Sequence, residues 1–159
     1  MGAIIREVMA SFSAQGPGYS TEDAEIEAMS AHYSGPRSAF FVVEENGRVQ
    51  GGGGIGPLAG AEPEVCELRK MYFLPALRGR GIGHRLLALC LAAARERSYR
   101  RCYLETLSGM DAAQKLYVKA GFKPQCGPLG NTGHSGCDRY YLLALERRPQ
   151  RTAVVGRRP

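Results

Sequence analysis

The sequence predicts one α/β domain with a mixed sheet of about six to seven strands and about four helices. The first observation is length, because 159 residues suffice for one sizeable core and are few for two. The second is the alternation of strand and helix patterns. The third is a central strand–loop–helix–strand run, which favours adjacent parallel strands. We assign residues 1–146 to the domain and residues 147–159 to a basic tail that we expect to be flexible.

The N-terminal segment is predicted to form a strand and then a helix. The mixed stretch from Ile4 to Val8 indicates the strand, and a Gly-Pro-Gly break follows it. Ser20 and Asp23 have the spacing of a capping box, so we expect a helix from there to about His32.

A β-hairpin is predicted next. Two strand-like stretches flank Asn46-Gly47, and this dipeptide favours a tight type I′ turn. Four consecutive glycines, Gly51–Gly54, then fall within the second strand. Because glycine has no side chain to pack, the run indicates a bulge or a place where another backbone or helix approaches closely.

The rest of the chain alternates strands and helices. Apolar residues at three- and four-residue steps predict a helix that begins near Ile82 and ends in Arg95-Glu96-Arg97. Ser108 is expected to cap a later helix, with Asp111 at its third position and Gly121 just after its end. The predicted strands are 65–73, 102–107, about 122–126 and about 139–145, and the later helix covers about 110–120.

Composition argues against several classes of protein. No apolar stretch is long enough to span a membrane and no secretory signal follows Met1, so we expect a cytoplasmic protein without a membrane partner. The net charge of +6 includes five arginines in the last thirteen residues, where no aromatic residues interleave, which disfavours nucleic acid as a partner. The five cysteines are odd in number and form no CxxC pair, which disfavours a metal site and a disulfide framework.

The segment Arg78–Gly83, with the sequence Arg-Gly-Arg-Gly-Ile-Gly, lies between a predicted strand and an amphipathic helix. Its glycines let backbone N–H groups approach an anion, and the helix amino end adds a positive dipole, so a phosphate or pyrophosphate is the expected ligand. A plain tight turn is the alternative when the loop is taken alone. A P-loop would need Lys and Ser or Thr after Gly83, where His84 and Arg85 stand.

Two motifs occur together in this part of the chain. Residues 78–83 match the pattern [Arg/Gln]-x-x-Gly-x-[Gly/Ala], and residues 113–122 match Ala-x-x-Leu-Tyr-x-x-x-Gly-Phe. In both, the chain resembles the GCN5-related N-acetyltransferase (GNAT) superfamily. The resemblance implies splayed central parallel strands and direct transfer of acetyl from acetyl-CoA to a primary amine of a small molecule or protein. A non-catalytic acyl-CoA-binding or sensing domain is the alternative, and homodimers are common among similar enzymes.

The same resemblance implies how acetyl-CoA is held. The strand before the loop would bind the pantetheine arm, the loop would bind the pyrophosphate, and the next strand would open the slot. Many members carry an asparagine seven residues before the tyrosine of the second motif, where this chain has Met110, so Ser108 or Asp111 would have to replace that contact. The residues at the cofactor-binding places are Met71, Tyr72, Phe73, Arg78, Gly79, Arg80, Gly81, Ile82, Gly83, His84, Thr106 and Ser108.

The resemblance also implies two catalytic residues. Glu67 stands eleven residues before Arg78, the offset of a catalytic glutamate in histone acetyltransferases of the superfamily. A partly desolvated carboxylate there can accept a proton from an ammonium group as general base. Tyr117 corresponds to a tyrosine near the coenzyme sulfur that can protonate the departing thiolate as general acid. A structural ion pair of Glu67 with Arg69 and a core role for Tyr117 are the alternatives.

The acceptor pocket is the part that the sequence determines least. In the family it is lined by the first helix and its loop and by the turn between the last two strands, which here hold Tyr19, His32, Tyr33 and residues 132–140. His134 and Asp138 could bind a polar or cationic acceptor, or serve ordinary turn geometry. Glu64 and Glu105 are further candidate bases. An acetyl-cysteine on Cys66 is disfavoured because no histidine is near it in sequence.

Overall fold

Six strands form one mixed sheet in the computed structural model, which describes residues 1–146. The strands are β1 (Ala39–Glu45), β2 (Arg48–Pro57), β3 (Val65–Phe73), β4 (Arg101–Thr106), β5 (Lys123–Gln125) and β6 (Arg139–Ala144), in the spatial order β1-β2-β3-β4-β6-β5. The helices are α1 (Gly2–Ala10), α2 (Met29–His32), α3 (Ile82–Glu96) and α4 (Asp111–Lys119). Strands β3 and β4 are parallel and the other pairs are antiparallel, which confirms the predicted mixed α/β fold. The predicted tail lies outside the described residues.

The first element corrects the prediction of a strand from Ile4 to Val8, because these residues lie in helix α1. Arg6 in their middle is exposed. Buried positions that recur every three to four residues follow the period of a helix and not that of a strand. The buried residues of α1 are Ile4, Ile5, Val8 and Met9.

The helix predicted from Ser20 to about His32 is also wrong. The segment forms two short 3-10 turns, Ser20–Glu22 and Ala24–Glu27, and only its last turn, α2, is α-helical. The two expected capping residues are engaged by the sheet: Ser20 shares a hydrogen bond with Tyr72, and Asp23 accepts one from Lys70. Tertiary contacts therefore replace the capping box.

The β1–β2 hairpin has the predicted turn, with positive φ at both Asn46 and Gly47. The glycine run of β2 meets both expectations for it. A Cβ at Gly54 would lie 2.4 Å from the carbonyl oxygen of Ala39, so a neighbouring backbone does approach closely. The pairing of β2 with β3 also shifts register between Gly52 and Gly54.

The main core lies between the sheet and helices α3 and α4. Leu87 and Cys90 of α3 are buried there with Cys66 and Leu68 of β3 and Tyr117 of α4. Among residues 1–146, no helix combines the length and the apolar character needed to cross a membrane.

Helix α4 begins differently from the prediction. Ser108 does not cap it, because Met110 occupies the N-cap position and the backbone N–H of Ser108 donates to Asp138. Asp111 is the first helical residue and not the third. The far end is as predicted, since Gly121 follows the helix with a φ of 97°.

Strands β3 and β4 separate after a short parallel stretch. Their paired residues are Val65 with Arg101, Cys66 with Cys102, and Glu67 with Tyr103. Beyond these pairs, β3 continues to Phe73 and β4 to Thr106 without pairing to each other. The splayed strands that the family resemblance implied are therefore confirmed, and Glu67 lies at the point where they separate.

A bulge in β3 changes which face its residues present. Opposite Gly53 of β2, β3 carries one extra residue, and Lys70 there has a positive φ of 52°. An extra residue reverses the alternation of side chains along the strand. Tyr72 consequently packs with α1, whereas Cys66, Leu68, Met71 and Phe73 share the core with α3.

Candidate active site

A cleft of about 540 Å³ opens where the end of β3, the loop before α3 and the first turns of α4 meet. We call it the large cleft. Further walls come from Val8 in α1, from Phe12 just after α1, and from residues 109–113. The residues predicted to bind acetyl-CoA that line it are Met71, Tyr72, Phe73, Arg78, Gly79, Gly81, Ile82, Gly83 and His84.

The loop before α3 presents a row of backbone donors. Within the described part of the chain, the N–H groups of residues 79–84 have no hydrogen-bond acceptor, and Arg85 is the first to donate, to the carbonyl of Gly81 at 3.3 Å. Gly81 is the N-cap residue with a φ of 74°, a left-handed conformation that glycine adopts without strain. Unpaired donors at the amino end of a helix attract an anion such as a pyrophosphate.

Three residues predicted to bind the cofactor lie outside the lining of the large cleft. Arg80 is exposed and pairs with Glu45 at 2.8 Å. Thr106 is buried, and its hydroxyl donates to the sulfur of Met110 at 3.5 Å. Ser108 is exposed. Met110 itself lines the cleft, at the place where many family members carry asparagine. Cofactor contacts stay predictions for these three residues and for the nine that line the cleft.

Tyr117 reaches the large cleft from α4. It is 6% exposed, lines the cleft and packs edge-on against Phe122. Among residues 1–146, the Tyr117 hydroxyl has no hydrogen-bond partner. The Tyr141 hydroxyl, by contrast, donates to the side chain of Gln114. Burial raises the pKa of Tyr117 well above its usual value, so the phenol is a protonated group that faces the cleft.

Glu67 faces a second, smaller space, which we call the polar cavity. Its volume is about 40 Å³, and its lining is Ser20, Glu67, Leu68, Arg69, Lys70, Tyr72, Glu105, His134 and Cys137. One carboxylate oxygen of Glu67, Oε2, accepts a hydrogen bond from Arg69 Nε at 2.7 Å. The other, Oε1, has no partner among the described residues, yet it is not sealed from the surrounding space. The ion pair with Arg69 therefore exists, and it leaves one oxygen available.

Burial raises the pKa of Glu67, and this effect outweighs the opposing charge of Arg69. The side chain is 6% exposed. A carboxylate in such surroundings accepts a proton more readily than a solvated one. The geometry at Glu67 therefore suits a proton acceptor.

Sequence reasoning missed the ion network around the polar cavity. Lys70 at the bulge pairs with Asp23 and lies 3.3 Å from a carboxylate oxygen of Glu25. Although burial alone would raise it, hydrogen bonds from His134 and Lys70 lower the pKa of Asp23 to about 2. The partners come from distant segments, so no spacing could have found them. The available signal was the presence of three charged residues, Glu67, Arg69 and Lys70, in one strand.

Comparison with known proteins identifies the family. The sequence model of the Acetyltransferase (GNAT) family matches residues 4–122. The chain belongs to this family. A relative from Escherichia coli (strain K12), an N-acetyltransferase described as uncharacterized and named YjgM, is 43% identical over 143 residues, which are 89% of this chain and 86% of the relative.

Solved structures show the same fold. A GNAT acetyltransferase from Staphylococcus aureus Mu50 superposes with a TM-score of 0.77 at 20% identity, covering 91% of this chain and 90% of that one. The putative acetyltransferase yncA from Salmonella typhimurium, solved with its cofactor acetyl-CoA, superposes with a TM-score of 0.67 at 22% identity, covering 95% and 91%. The predicted family and fold are confirmed.

The two residues predicted to bind the acceptor in this GNAT protein lie in different places. His134 lines the polar cavity, and its Nε2 is 2.8 Å from Asp23 Oδ2. Asp138 is exposed and accepts a hydrogen bond from the backbone N–H of Ser108 at 2.7 Å, which is the turn role given above as the alternative. Neither Tyr19, His32 nor Tyr33 lines the polar cavity.

The other candidate bases of this GNAT protein are placed less favourably than Glu67. Glu105 lines the polar cavity, but its two oxygens accept hydrogen bonds from Tyr103 at 2.7 Å and Thr132 at 2.9 Å. Glu64 is exposed and lines neither space. Cys66 is fully buried, with its thiol 3.5 Å from the carbonyl oxygen of Arg101.

Proposed function

We propose that this GNAT protein transfers the acetyl group of acetyl-CoA directly to a primary amine. The observation that carries the proposal is that the large cleft and the polar cavity share one lining residue, Tyr72. The loop donors lie on one side of Tyr72 and the unpaired oxygen of Glu67 lies on the other. Two substrates bound in these spaces would meet at β3.

The residues of the large cleft suit acetyl-CoA. The loop N–H groups and Arg78 would hold the pyrophosphate, and the apolar walls that include Val8, Phe12 and Leu116 would cover the pantetheine arm. The volume of about 540 Å³ lies within the range of about 300–1,000 Å³ typical of ligand sites. Bound there, acetyl-CoA supplies the thioester carbonyl carbon that an amine attacks.

Glu67 and Tyr117 divide the proton transfers between them. Glu67 takes a proton from the ammonium group, because an amine attacks only through its free electron pair. Tyr117 gives a proton to the sulfur as the carbon–sulfur bond breaks, and regains one from the nitrogen that has formed the amide bond. The raised pKa of each group suits its part, since Glu67 gains affinity for a proton and Tyr117 is protonated at the start.

Direct transfer is favoured over an acetyl-cysteine intermediate. Cys66 is fully buried and lines neither the large cleft nor the polar cavity. Cys137 does line the polar cavity, but burial raises the pKa of its thiol to about 12. A protonated thiol is a poor nucleophile.

Calorimetry with acetyl-CoA, followed by an amine screen that measures free thiol release, tests the proposal. The screen should contain diamines, amino acids and peptides with free amino termini, each run without protein as a control. We expect binding, and thiol release with at least one acceptor. Binding without release from any amine would support the non-catalytic acyl-CoA-binding domain instead, and no binding at millimolar acetyl-CoA would reject both functions.

A further inference from the structure

The proposed reaction produces one proton that has to leave a buried site. An ammonium group loses two protons when it becomes an amide: the new carbon–nitrogen bond forms, the carbon–sulfur bond breaks, and one proton ends on the sulfur through Tyr117. The other proton stays on Glu67, whose side chain is 6% exposed. If the proposed function holds, Glu67 must lose this proton before the next turnover, so a route to solvent is required.

The hydroxyls of Ser20 and Tyr72 in the polar cavity hydrogen-bond each other at 2.7 Å, and few other lining residues can pass a proton on. Arg69 keeps its charge at any ordinary pH, and Lys70 is 2% exposed. Glu105 is 3% exposed and has both oxygens engaged. Burial raises the pKa of Cys137 to about 12, so this thiol does not exchange protons near neutral pH. His134 is an imidazole, which titrates near neutral pH, and its side chain is 13% exposed.

His134 faces charged groups on every element around it. Its Nε2 lies 2.8 Å from Asp23 Oδ2, and its Nδ1 lies 3.9 Å from Glu105 Oε2. Although burial alone would lower it, the hydrogen bond to Asp23 raises the pKa of His134. The ring therefore takes up a proton more readily than a free histidine does. The titratable or charged residues that share the cavity with it are Glu67, Arg69, Lys70 and Tyr72 of β3, Glu105 of β4, and Cys137 of its own loop.

The polar cavity connects Glu67 with His134. Once product has left, its volume of about 40 Å³ has room for about three or four water molecules, at roughly 10–15 Å³ each. The unpaired Oε1 of Glu67 and the ring of His134 can therefore be joined through hydrogen-bonded water. On the far side of the ring, the side chain of Asp23 is 26% exposed, so this pair is the point where the network reaches solvent.

We propose that His134 receives the proton of Glu67 across the polar cavity and releases it to solvent, with Asp23 orienting the ring. In this role His134 acts through Glu67 and not on either substrate. The proton moves from the carboxyl of Glu67 to Nδ1 of the ring, and a proton leaves Nε2 beside Asp23 to bulk water, so no other reactant is needed.

His134→Gln tests this role, because glutamine can still donate a hydrogen bond to Asp23 but cannot pass a proton on. Turnover is measured near neutral pH with saturating acetyl-CoA and an amine that the screen identifies. We expect kcat to fall by about 10- to 100-fold. Groups that transfer protons directly in the reaction usually contribute about 10²- to 10⁴-fold, so this effect is at or below that range. The KM for acetyl-CoA should stay unchanged. Added imidazole should restore kcat as its concentration rises, because a small base can take the proton from the cavity directly.

His32→Gln is the matched control. His32 also pairs with a carboxylate, Glu25, at 2.7 Å, but it does not line the polar cavity. Its kcat should show no dependence on imidazole. His134→Ala serves as the second variant if glutamine is not tolerated, and the larger gap should admit imidazole more easily.

The outcomes separate the relay from the transfer reaction. A wild-type kcat in His134→Gln, or a loss that imidazole reverses in neither variant, would overturn the relay and leave the proposed acetyl transfer standing. Failure of the unaltered protein to release thiol with any amine would remove the transfer reaction itself. Restoration by imidazole in His134→Gln and not in His32→Gln would support the relay.

Discussion

The large cleft and the polar cavity lie on either side of Tyr72 and are built in opposite ways. Backbone groups form the proposed anion site of the large cleft, because the N–H groups of residues 79–84 have no hydrogen-bond acceptor among residues 1–146. Side chains form the polar cavity, through the pairs Glu67–Arg69, Lys70–Asp23 and His134–Asp23. Under the proposed function, cofactor recognition would thus be local in sequence, whereas acceptor recognition would depend on segments far apart.

Under the proposed function, this difference would let one fold keep its cofactor and change its acceptor. The N-terminal turns and the loop before β6 both line the polar cavity, through Ser20 and His134, and the N–H of Gly136 donates to the carbonyl of Gly18 at 3.0 Å. Neither Gly18 nor Gly136 lines the large cleft. Changes in these two segments can therefore reshape the polar cavity without altering the loop before α3.

The largest expected effect is on the acceptor side and comes from Glu67→Gln. Turnover should fall by about 10²- to 10³-fold, within the usual contribution of a general base. The loss should be greatest at low pH, where an unassisted amine is most fully protonated, and should shrink as pH rises. Turnover measured across pH checks this loss. Calorimetry with acetyl-CoA checks that cofactor affinity stays nearly unchanged.

Glu105→Gln is the matched control for Glu67→Gln. It removes a carboxylate charge from the same cavity, but both oxygens of Glu105 are already engaged by Tyr103 and Thr132. Glu105→Gln should lower the free energy of unfolding. The dependence of its turnover on pH should keep the same shape as in the unaltered protein. If Glu67→Gln were as active as the unaltered protein at every pH, Glu67 would not be the base.

The second-largest effect is expected in the large cleft, on the other side of Tyr72 from Glu67. Tyr117→Phe should lower kcat by about tenfold, near or below the lower end for a general acid, because a thiolate with a pKa of about 8.5 leaves fairly easily without help. Binding of acetyl-CoA should be nearly unchanged, since the ring and its contact with Phe122 remain. The measurement is thiol release at saturating substrates, and an unaltered rate would assign Tyr117 to the core alone.

The sequence predicted the parts around the large cleft better than the parts around the polar cavity. The glycine loop, the Tyr117 helix and the splaying of β3 from β4 were predictable, because two local motifs carry the loop, the helix and the family resemblance. Residues 4–8 were predicted wrongly because a short apolar stretch fits two periods, and only the exposed Arg6 and the pair Ile5 and Met9 reveal the helical one.

The polar network could not be predicted, for a physical reason. Ser20 and Asp23 have good local partners in a capping box, yet contacts with Tyr72 and Lys70 of β3 replace those partners in the fold. The bulge at Lys70 sends that lysine towards Asp23 and reverses the faces of the residues after it. Such choices depend on which segments meet in space, and local spacing does not encode them.

The smallest expected effect tests whether the large cleft depends on its backbone, and it uses two glycines of equal geometry. Gly81 has a φ of 74° and Gly47 has a φ of 73°, and a Cβ at either would meet nothing within 4 Å. Alanine at each should cost about 1–2 kcal/mol of unfolding free energy, because a Cβ strains the left-handed conformation. Gly81→Ala should also weaken acetyl-CoA binding by about 3- to 10-fold, or about 1 kcal/mol, as the loop donors shift. Gly47→Ala, in the β1–β2 turn, should lose the same stability and keep full affinity. Denaturant unfolding and calorimetry on both variants measure the two quantities, and equal acetyl-CoA affinities would mean that side chains, and not the loop backbone, hold the cofactor.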